Sequence, residues 1–342
     1  IMPSLVGSEM CIRDRIYNLL TFDISIMEHK IMKKVKAIPP YIYKGASNFK
    51  YYPCEAWEKI GGKVSRNFYP PQFLHSLIYR ITLPSIFKNK REARLRFVSG
   101  YSIQFDTFPD YAFYEVIPVI WDCWPKQVES VAAFFRKHQV KTAIFTSYQT
   151  ADVFRDLFPQ MNVLTITEGI KIDLYSPGNV LSDRKIDILE IGRKDGNFFK
   201  TPLPEGINHV KTGNFARTFQ SDEEFRAALA DTKVTVTVPR CDVNPETAGN
   251  IETLTQRYWE CMLSRIVMVG RAPKELIDLI GYNPVIDWDG NDASPLVSDI
   301  LGNIGKYQDL VNRNYETAKK MASWEMRMKD IMIYLKNKGY SV

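Results

Sequence analysis

The sequence has no apolar run long enough to cross a membrane, and it is poor in cysteine and histidine. Its apolar runs, such as residues 115–121, stop well short of the ~18–20 residues that a transmembrane helix requires. Five cysteines without a CxxC spacing and only four histidines argue against a disulfide scaffold or a zinc site and favour a reducing compartment. What is present is an ordinary globular composition, 45% hydrophobic and 25% charged, in 342 residues that suit about two domains.

The net charge of +6 is concentrated in the first half of the chain. Residues 31–165 carry 19 Lys and Arg against 10 Asp and Glu, whereas residues 166–342 carry 23 against 25. The densest basic segment, Lys88–Arg96, follows the aromatic stretch 73–87. Such a segment is either a solvated charged face or a surface for anionic lipid or an acidic acceptor. A nucleic-acid site is not expected, because the aromatic residues lie beside the basic run and do not alternate with it.

The first 31 residues are predicted to lie outside the native fold. Residues 1–15, IMPSLVGSEMCIRDR, resemble the translated read-through of a sequencing adapter and lack the layout of a secretory signal. Residues 16–31 are interpreted as upstream leader, because Met27 and Met32 each offer a start codon. The first strand is then expected over residues 32–38.

From Arg94 onward, short β-branched runs alternate with amphipathic stretches, which is typical of parallel sheets covered by helices. The predicted strands form two series, residues 95–98, 116–121, 142–146 and 163–167, then 186–191, 208–211, 233–238, 266–269 and 284–287. Helices are predicted over residues 126–138 and 221–231 and between Pro273 and Gly281. Gly and Pro punctuate residues 168–178, where the domain boundary is expected. No structure is predicted for residues 39–90.

The segment 251–260 carries the clearest candidate chemistry, with Glu252 in a predicted loop and Glu260 inside a predicted helix. At 100° per residue, Glu260 lies away from the apolar stripe of that helix. The helix N-terminus, over residues 253–256, offers free N–H groups that suit a phosphate. A carboxylate further along can accept hydrogen bonds from sugar hydroxyls. Two glutamates at this spacing are also common on surface helices, so the pattern alone leaves both interpretations open.

A second candidate site follows the strand predicted over residues 186–191. Gly192 and Arg193 come directly after it, and Lys200 stands seven positions beyond Arg193. Two cations on a loop at the carboxyl end of a strand suit a diphosphate in an α/β protein. The alternative is that each is a surface cation without a ligand.

Four segments, taken in order, resemble the retaining glycosyltransferases with the two-domain GT-B fold, in particular glycosyltransferase family 4. Residues 165–177 are similar to the family's linker, a strand followed by Asn-Gly-Val-Asp and Phe-x-Pro. Ile191-Gly192-Arg193 with Lys200 looks like its Gly-Arg and Lys pair. Residues 252–260 match its Glu-x7-Glu element, and Ser323-Trp324-Glu325 looks like its closing helix. The resemblance covers about residues 115–340.

The resemblance implies an α/β protein of the GT-B fold, with two Rossmann-like domains, a cleft between them and a C-terminal helix that crosses back. The implied limits are residues 32–167 for a short acceptor-side domain, residues 168–322 for the domain that binds the nucleotide sugar, and residues 323–342 for the crossing helix.

The resemblance also implies a role for each candidate residue. Arg193 and Lys200 would neutralise the donor diphosphate, and Glu260 would bind the ribose hydroxyls. Glu252 would bind hydroxyls of the transferred sugar. The donor phosphates would meet the backbone of Leu254, Thr255 and Gln256. In this family the cations stabilise the leaving diphosphate without an obligatory metal or other cofactor, and the anomeric configuration is retained.

The chain departs from the family's pattern at several positions. Glu168 replaces the linker Asn, and the sequence from Leu254 to Thr255 and the segment 263–266 lack glycines that the family has there. The loss of those glycines alters how closely the backbone can approach a phosphate. Asp122, at the end of the strand predicted over 116–121, takes roughly the place of a His that faces the acceptor in the family. A cap for the following helix is the alternative role of Asp122.

The leading hypothesis is a cytoplasmic bacterial glycosyltransferase of polysaccharide biosynthesis, which moves a sugar from a nucleotide-sugar donor to a glycan or lipid-linked acceptor. Residues 73–96 would make peripheral contact with an anionic membrane at its inner face. Two alternatives stay open. One is a nucleotide-sugar epimerase or hydrolase of the same fold. The other is a non-catalytic protein that binds polyanions or membranes through Lys90, Arg91, Arg94 and Arg96.

Overall fold

A computed structural model describes residues 32–40, 50–66, 71–80, 83–84, 88–191, 197–212 and 218–342. The predicted leader over residues 1–31 lies outside the described residues, and so does Arg193. The fold below is that of the described residues from Lys33 to Val342, which belong to one compact unit.

The N-terminal sheet is built from parallel strands. They are β1 (Lys33–Ile38), β2 (Lys63–Val64), β3 (Glu92–Ser99), β4 (Glu115–Trp121), β5 (Thr142–Phe145), β6 (Asn162–Thr165) and, from the end of the chain, β12 (Tyr340–Ser341). Their order is β12-β1-β3-β4-β5-β6, with β2 also paired to β1. All of β4 is buried, because it lies in the middle of the sheet with helices on both faces.

The C-terminal sheet is also parallel. Its strands are β7 (Ile186–Glu190), β8 (His209–Lys211), β9 (Thr232–Thr237), β10 (Val267–Gly270) and β11 (Ile286–Asp287), in the order β11-β10-β9-β7-β8. Each strand predicted from the sequence overlaps one of the observed strands. Gly270 has a φ of +139°, and a Cβ there would lie 2.1 Å from the carbonyl oxygen of Thr237, so only glycine fits at this strand end.

The helices follow the strands in the alternating order that the sequence predicts. The N-terminal domain has α1 (Tyr52–Lys59), α2 (His75–Arg80), α3 (Ile103–Asp106), α4 (Asp110–Phe113), α5 (Pro125–His138) and α6 (Tyr148–Leu157). The rest of the chain has α7 (Asp222–Ala230), α8 (Arg240–Val243), α9 (Pro245–Ala248), α10 (Gln256–Leu263), α11 (Lys274–Ile280), α12 (Ser294–Gly302), α13 (Gln308–Met321) and α14 (Trp324–Asn337). The predicted N-cap is confirmed, since Ser221 Oγ accepts the Glu224 N–H at 3.1 Å, while the Glu224 carboxylate accepts the N–H of Gln220 at 2.6 Å and not that of Ser221.

Each sheet carries an apolar core on both faces. On the N-terminal sheet, one core contains Trp57 of α1 with Met328 and Ile331 of α14, and the other contains Phe135 and Phe154 of α5 and α6. On the C-terminal sheet, one core contains Trp259 and Leu276, and the other contains Val297 and Val311. This arrangement is that of two Rossmann-like α/β domains.

Two connections between the sheets run side by side. The Ile170 N–H donates to the carbonyl of Ala322 at 2.7 Å, and the Trp324 N–H donates to the carbonyl of Ile170 at 3.3 Å. Gly169 is tightly packed here, because a Cβ would lie 3.0 Å from Trp324. Beyond this point α14 packs against α1, and β12 pairs with β1. The predicted C-terminal helix that crosses back to the N-terminal domain is therefore confirmed.

The basic segment 88–96 is expected from its sequence to lie at the surface, either as a solvated face or as a contact for anionic lipid or an acidic acceptor. This expectation is wrong for its second half, because residues 92–96 lie in β3. Arg94 and Arg96 are 7% and 2% exposed in β3. An Arg96 Nη donates to Asp110 at 3.0 Å, and this partner makes burial of the guanidinium possible. Lys90 and Arg91, just before the strand, are exposed. Among the helices of the described ranges, none has the length and apolar character needed to cross a bilayer.

Candidate active site

A cleft of about 500 Å³ lies between the two sheets, a size within the range of small-molecule sites. The N-terminal domain contributes residues that follow its strands, and the C-terminal domain contributes the end of β9 and the start of α10. The lining includes Pro53, Trp121, Asp122, Glu168, Ile191, Phe198, Val236, Thr237, Val238, Arg240, Val243, Thr255, Gln256, Arg257, Glu260 and Trp324. The carboxyl ends of parallel strands are where α/β proteins bind their ligands.

Glu260 lies in the cleft wall on α10, as the sequence predicts. Its side chain is 14% exposed, and both carboxylate oxygens are held. The Tyr175 hydroxyl donates to Oε1 at 3.0 Å, and Arg257 Nε donates to Oε2 at 3.0 Å. Burial, and then the charge of Glu260, raise the pKa of Tyr175, so its hydroxyl stays protonated and keeps donating. The carboxylate is thus oriented before any ligand arrives, with lone pairs left for further donors.

The start of α10 faces the cleft. Thr255 is the N-cap, makes no side-chain cap and lines the cleft together with Gln256, as predicted. Leu254 does not reach it. The Leu254 side chain is fully buried, and its N–H donates to Glu275 Oε2 at 2.8 Å. The structure therefore brings two of the three predicted backbone positions to the cleft, because the apolar side chain of the third fills the core behind the helix.

The Glu252 carboxylate is held by residues of the C-terminal domain. Its carboxylate accepts hydrogen bonds from an Arg271 Nη and, at 2.9 Å, from the Lys274 N–H at the start of α11. The side chain is 20% exposed and lies outside the set of residues that line the cleft. Glu252 is in a loop and Glu260 in a helix, as predicted, but the structure places their carboxylates in different surroundings.

Lys200 lines a second cavity, of about 470 Å³, together with Arg271, Trp288 and Asp289. This cavity adjoins the cleft, because Phe198, Val238 and Val243 line both. The backbone N–H of Lys200 donates to Asp292 at 3.0 Å, which fixes the loop that carries the side chain. Lys200 therefore lines the adjoining cavity and Glu260 the cleft, while Arg193, the predicted partner of Lys200, lies outside the described residues.

Asp122 lines the cleft from the N-terminal side. It follows β4 directly and is exposed, with a left-handed φ of +52°. The N-cap residue of α5 is Trp124, two positions after Asp122, and α5 begins at Pro125. A left-handed conformation is unfavourable for most residues outside glycine, and such positions often occur at functional sites.

Glu168 also lines the cleft, although the sequence shows it only as a replacement of the linker Asn of the resembled family. Its backbone carbonyl accepts the Trp259 Nε1–H at 3.0 Å, which fixes the residue at the edge of the cleft. Burial first, and then the negative charge of Asp122, raise the pKa of Glu168 to about 8. A carboxyl with this pKa is mostly protonated at neutral pH and can donate as well as accept a hydrogen bond.

Hydrogen bonds between the two domains hold the loop before α10. Gln149, at the start of α6, accepts the Glu252 N–H at 2.7 Å and donates to the carbonyl of Asn250 at 3.0 Å. Glu275 of α11 accepts the N–H groups of Tyr148 and Leu254 at 2.7 and 2.8 Å. No local pattern in the sequence could reveal these contacts, because most of the partners stand more than a hundred positions apart.

Two arginines that the sequence analysis did not single out also line the cleft. They are Arg240, whose guanidinium lies 5.0 Å from the ring centroid of Trp124, and Arg257, which holds Glu260. Arg240 is the first residue of α8, which follows β9, and Arg257 is the second residue of α10. They place positive charge in the cleft itself, whereas Lys200 lines the adjoining cavity.

No protein-family model matches this chain, and a search of curated proteins finds no match. Solved structures do match. Sucrose-phosphate synthase from Thermosynechococcus elongatus is 11% identical, with 89% of this chain and 98% of that chain covered and a TM-score of 0.55. HepE from Anabaena, solved with UDP-glucose, is 8% identical over 90% of this chain and 100% of that chain, with a TM-score of 0.49. A glycosyltransferase from Rickettsia africae is 8% identical over 91% and 100%, with a TM-score of 0.48.

At these low identities the likeness defines the fold alone, and of the three structures sucrose-phosphate synthase is the one whose TM-score exceeds 0.5. Together with the two parallel sheets and the crossing helix, it shows that the chain has the GT-B fold. The fold that the sequence predicted is thus confirmed. What the cleft binds is a separate question, because one fold can serve many functions.

Proposed function

We propose that this protein is a glycosyltransferase that transfers a sugar from a nucleotide-sugar donor to a hydroxyl of a glycan or lipid-linked acceptor, with retention of configuration. One observation carries the proposal. A carboxylate held by two donors, Glu260, stands about one turn beyond the start of α10, whose N-cap Thr255 makes no side-chain cap, in a cleft between two Rossmann-like domains. Ribose hydroxyls can donate to a carboxylate and a phosphate suits a helix N-terminus, and the same cleft wall offers both.

The donor would lie along the wall formed by β9 and α10. Glu260 would accept from the ribose hydroxyls, and the N–H groups of Thr255 and Gln256 would bind a phosphate. Arg240 and Arg257, with Arg193 and Lys200 from the loop after β7, would neutralise the diphosphate as it leaves. In this scheme side chains supply the positive charge, and no resident metal is required.

The transfer would break the bond between the anomeric carbon and the phosphate oxygen and form one to the acceptor oxygen on the same face. The acceptor hydroxyl would lose its proton to the departing diphosphate. Asp122, on the opposite wall, would accept a hydrogen bond from the acceptor hydroxyl and orient it. The role of Glu252 toward the transferred sugar stays a prediction. Its contacts support a positioning role instead, since it holds Arg271 beside the second cavity.

Contact with an anionic membrane stays part of the proposal, on a reduced surface. Because Arg94 and Arg96 are buried, the contact would rest on Phe73, which is 78% exposed, and on Lys90 and Arg91. Exchanging Lys90 and Arg91 for Glu would then lower co-sedimentation with vesicles that contain phosphatidylserine and leave nucleotide binding unchanged.

The test of the proposed function is thermal unfolding of the protein with UDP, GDP, ADP and CMP. A ligand at about 100 times its Kd stabilises the folded state by roughly 2.7 kcal/mol, which is readily seen as a rise in Tm. We expect one nucleoside diphosphate to raise the Tm of the wild type. Glu260→Ala should lose most of this rise, because it removes the acceptor for the ribose hydroxyls.

The matched control is Glu223→Ala, which removes a glutamate of α7 whose side chain is 79% exposed. It should bind the nucleotide as the wild type does. Equal rises for Glu260→Ala and Glu223→Ala would contradict the site, and no rise with any nucleotide would contradict the function. Consumption of the sugar donor without an acceptor would instead favour the hydrolase.

A further inference from the structure

The second cavity, which Lys200 and Arg271 line, has no role in the proposed transfer beyond that of Lys200. Its volume of about 470 Å³ is close to the 500 Å³ of the cleft and within the range of small-molecule sites. The two spaces adjoin at the side chains of Phe198, Val238 and Val243. A ligand of the cleft that is longer than the donor can therefore extend into the second cavity.

Arg271 is a firmly oriented hydrogen-bond donor in this cavity. Asp242 accepts two parallel bonds from it, from Nε at 2.8 Å and from Nη2 at 2.7 Å, and Glu252 accepts from Nη1. Cys241 Sγ, a weak acceptor, lies 3.6 Å from Nη2. Because a guanidinium has five N–H groups, these contacts leave the second N–H of Nη1 for a ligand. The guanidinium is fixed in its plane before a ligand arrives.

The charges of the described residues argue against an anionic ligand in the second cavity. Two cations, Lys200 and Arg271, stand beside three carboxylates, with Asp242 and Asp289 in the lining and Glu252 on Arg271. The charge of Arg271 is thus already balanced, and a phosphate or carboxylate would meet a negative surplus. A neutral ligand with several hydroxyls meets acceptors at the aspartates and donors at the two cations.

Trp288 adds an apolar ring to these polar groups. It directly follows β11, lines the cavity and packs edge-to-face against Phe198, with the ring centroids 5.8 Å apart. Its Nε1–H is buried and has no hydrogen-bond partner within the part of the chain that the structure describes. A pyranose has C–H groups on its faces and hydroxyls around its rim. An aromatic ring beside Arg271 and Asp289 therefore suits a neutral sugar.

The short helix α8 connects the second cavity with the acceptor side of the cleft. Arg240, its first residue, lies 5.0 Å from the ring centroid of Trp124 and lines the cleft together with Asp122. Asp242, two positions further on, lines the second cavity, and Val243 lines both. A glycan whose reacting hydroxyl lies at Asp122 thus has a wall of this helix that leads from the cleft to the second cavity.

We propose that the second cavity binds one neutral sugar unit of the acceptor, with Trp288 against the sugar ring and with Arg271 and Asp289 at its hydroxyls. The acceptor is then a glycan of at least two sugar units, one at Asp122 and one in the second cavity. This inference rests on the proposed function and narrows its acceptor to an oligosaccharide, with or without a lipid beyond it.

The experiment is saturation-transfer NMR of the full chain with the methyl glycosides of glucose, galactose, mannose and N-acetylglucosamine. The nucleoside diphosphate found in the thermal screen is present at saturation, so that the donor site is filled. We expect at least one of these neutral glycosides to bind. Glucuronic acid, the anionic comparison, should bind at least about threefold more weakly than methyl glucoside, because the carboxylates around the cavity repel it.

Two variants assign the signal to the second cavity. Trp288→Leu removes the aromatic ring and should weaken glycoside binding at least about fivefold. Arg271→Lys keeps the charge but loses the planar fork, so it should also weaken binding severalfold, and it provides the test if Trp288→Leu does not fold. The matched control is Arg136→Lys on α5, where the arginine side chain is 52% exposed and pairs with Glu129. It should bind the glycoside as the wild type does.

A second arm separates a sugar of the acceptor from the sugar of the donor. Calorimetry of Trp288→Leu compares the nucleoside diphosphate with the UDP-, GDP- or ADP-glucose that matches it, and we expect the wild-type Kd for both. A higher Kd for the nucleotide sugar alone would overturn the inference, because the cavity would then hold the transferred sugar.

Three other outcomes are decisive. Absence of binding by all four neutral glycosides would overturn the inference and leave the proposed function standing. Equal glycoside binding by the wild type, Trp288→Leu and Arg271→Lys would overturn it too, because the sugar would then lie elsewhere. Glycoside binding by a protein whose Tm no nucleotide raises would overturn the proposed function, and the acceptor role with it, but not the sugar site.

Discussion

Replacement of Glu275 is the sharpest test of how the cleft is assembled. Glu275 is 8% exposed and accepts the N–H groups of Tyr148 and Leu254, one from each domain, at 2.7 and 2.8 Å. In Glu275→Gln, an amide oxygen remains for one of the two groups, and the other faces an NH2 that cannot accept. A buried donor left unsatisfied costs about 1–3 kcal/mol, and we expect a loss of that size. Glu275→Ala should cost roughly twice as much, since both groups lose their acceptor.

The assay is urea unfolding of each variant, with Asp278→Asn as the control on the same helix. The Asp278 side chain is 59% exposed and pairs with Lys274 on the surface, so its loss should change the free energy of unfolding by less than about 0.5 kcal/mol. Because the loop that Glu275 holds leads into α10, Glu275→Gln should also weaken nucleotide binding severalfold. Equal free energies of unfolding for Glu275→Gln and Asp278→Asn would refute the reasoning.

Three further predictions concern single side chains. Tyr175→Phe removes the hydroxyl that donates to Glu260 Oε1 at 3.0 Å, one of the two donors that orient this carboxylate. Calorimetry should show a several-fold higher Kd for the nucleotide, with little change in the Tm of the protein. Because burial raises the pKa of Glu168 to about 8, the folded state binds its proton more tightly than the unfolded state between about pH 5 and pH 8. The stability that this group contributes therefore falls as the pH rises through that window. In urea unfolding, the free energy of unfolding of Glu168→Gln should rise relative to that of the wild type by at most about 1.4 kcal/mol per pH unit. Arg265 has a φ of +51°, and its guanidinium lies 4.6 Å from the Tyr315 ring centroid. Arg265→Gly loses this contact but removes the backbone strain, so its free energy of unfolding should stay within about 0.5 kcal/mol of the wild type. Arg265→Ala loses the contact and keeps the strain, so its free energy of unfolding should fall by about 0.5–1 kcal/mol. A neutral Arg265→Ala, a Tyr175→Phe with unchanged Kd, or a Glu168→Gln with unchanged pH dependence would each contradict the corresponding argument.

Much of the architecture is readable in the sequence, because buried parallel strands and amphipathic helices leave clear local patterns. The strand before Asp122, the N-cap at Ser221 and the loop-to-helix change between Glu252 and Glu260 all follow from spacing. The Arg265 position also agrees with the resemblance. Arg265 adopts a left-handed φ of +51°, a conformation that glycine takes without strain, within the segment 263–266 where the resemblance implies a glycine.

Other features could not be predicted, because they depend on contacts between distant segments. The burial of Arg96 requires Asp110, which the fold brings beside it, whereas the sequence shows only a basic run. Strand β12 is two residues long and has no periodicity of its own; it pairs with β1 because α14 returns the chain there. The helix α1 lies in a stretch without a clear period, although Pro53 and Gly61 at its two ends were usable signals.

The candidate site divides in the same way. Glu260, Thr255 and Gln256 reach the cleft because helix periodicity fixes their faces. The roles of Glu168 and Glu275 could not be predicted from the sequence, because the groups around each carboxyl come from the other domain or from the next helix. A carboxyl's pKa depends on burial and on neighbouring charges, and neither is a property of the local sequence.

The central claim is that the cleft between the two sheets binds a nucleoside diphosphate through Glu260 and the start of α10. The most direct measurement is a crystal structure of the full chain with the nucleotide that the thermal screen identifies. The account predicts ribose hydroxyls within about 3.2 Å of the Glu260 carboxylate and a phosphate oxygen within about 3.2 Å of the Gln256 N–H. A nucleotide bound outside the cleft, or in the cleft without contact to Glu260, would contradict it.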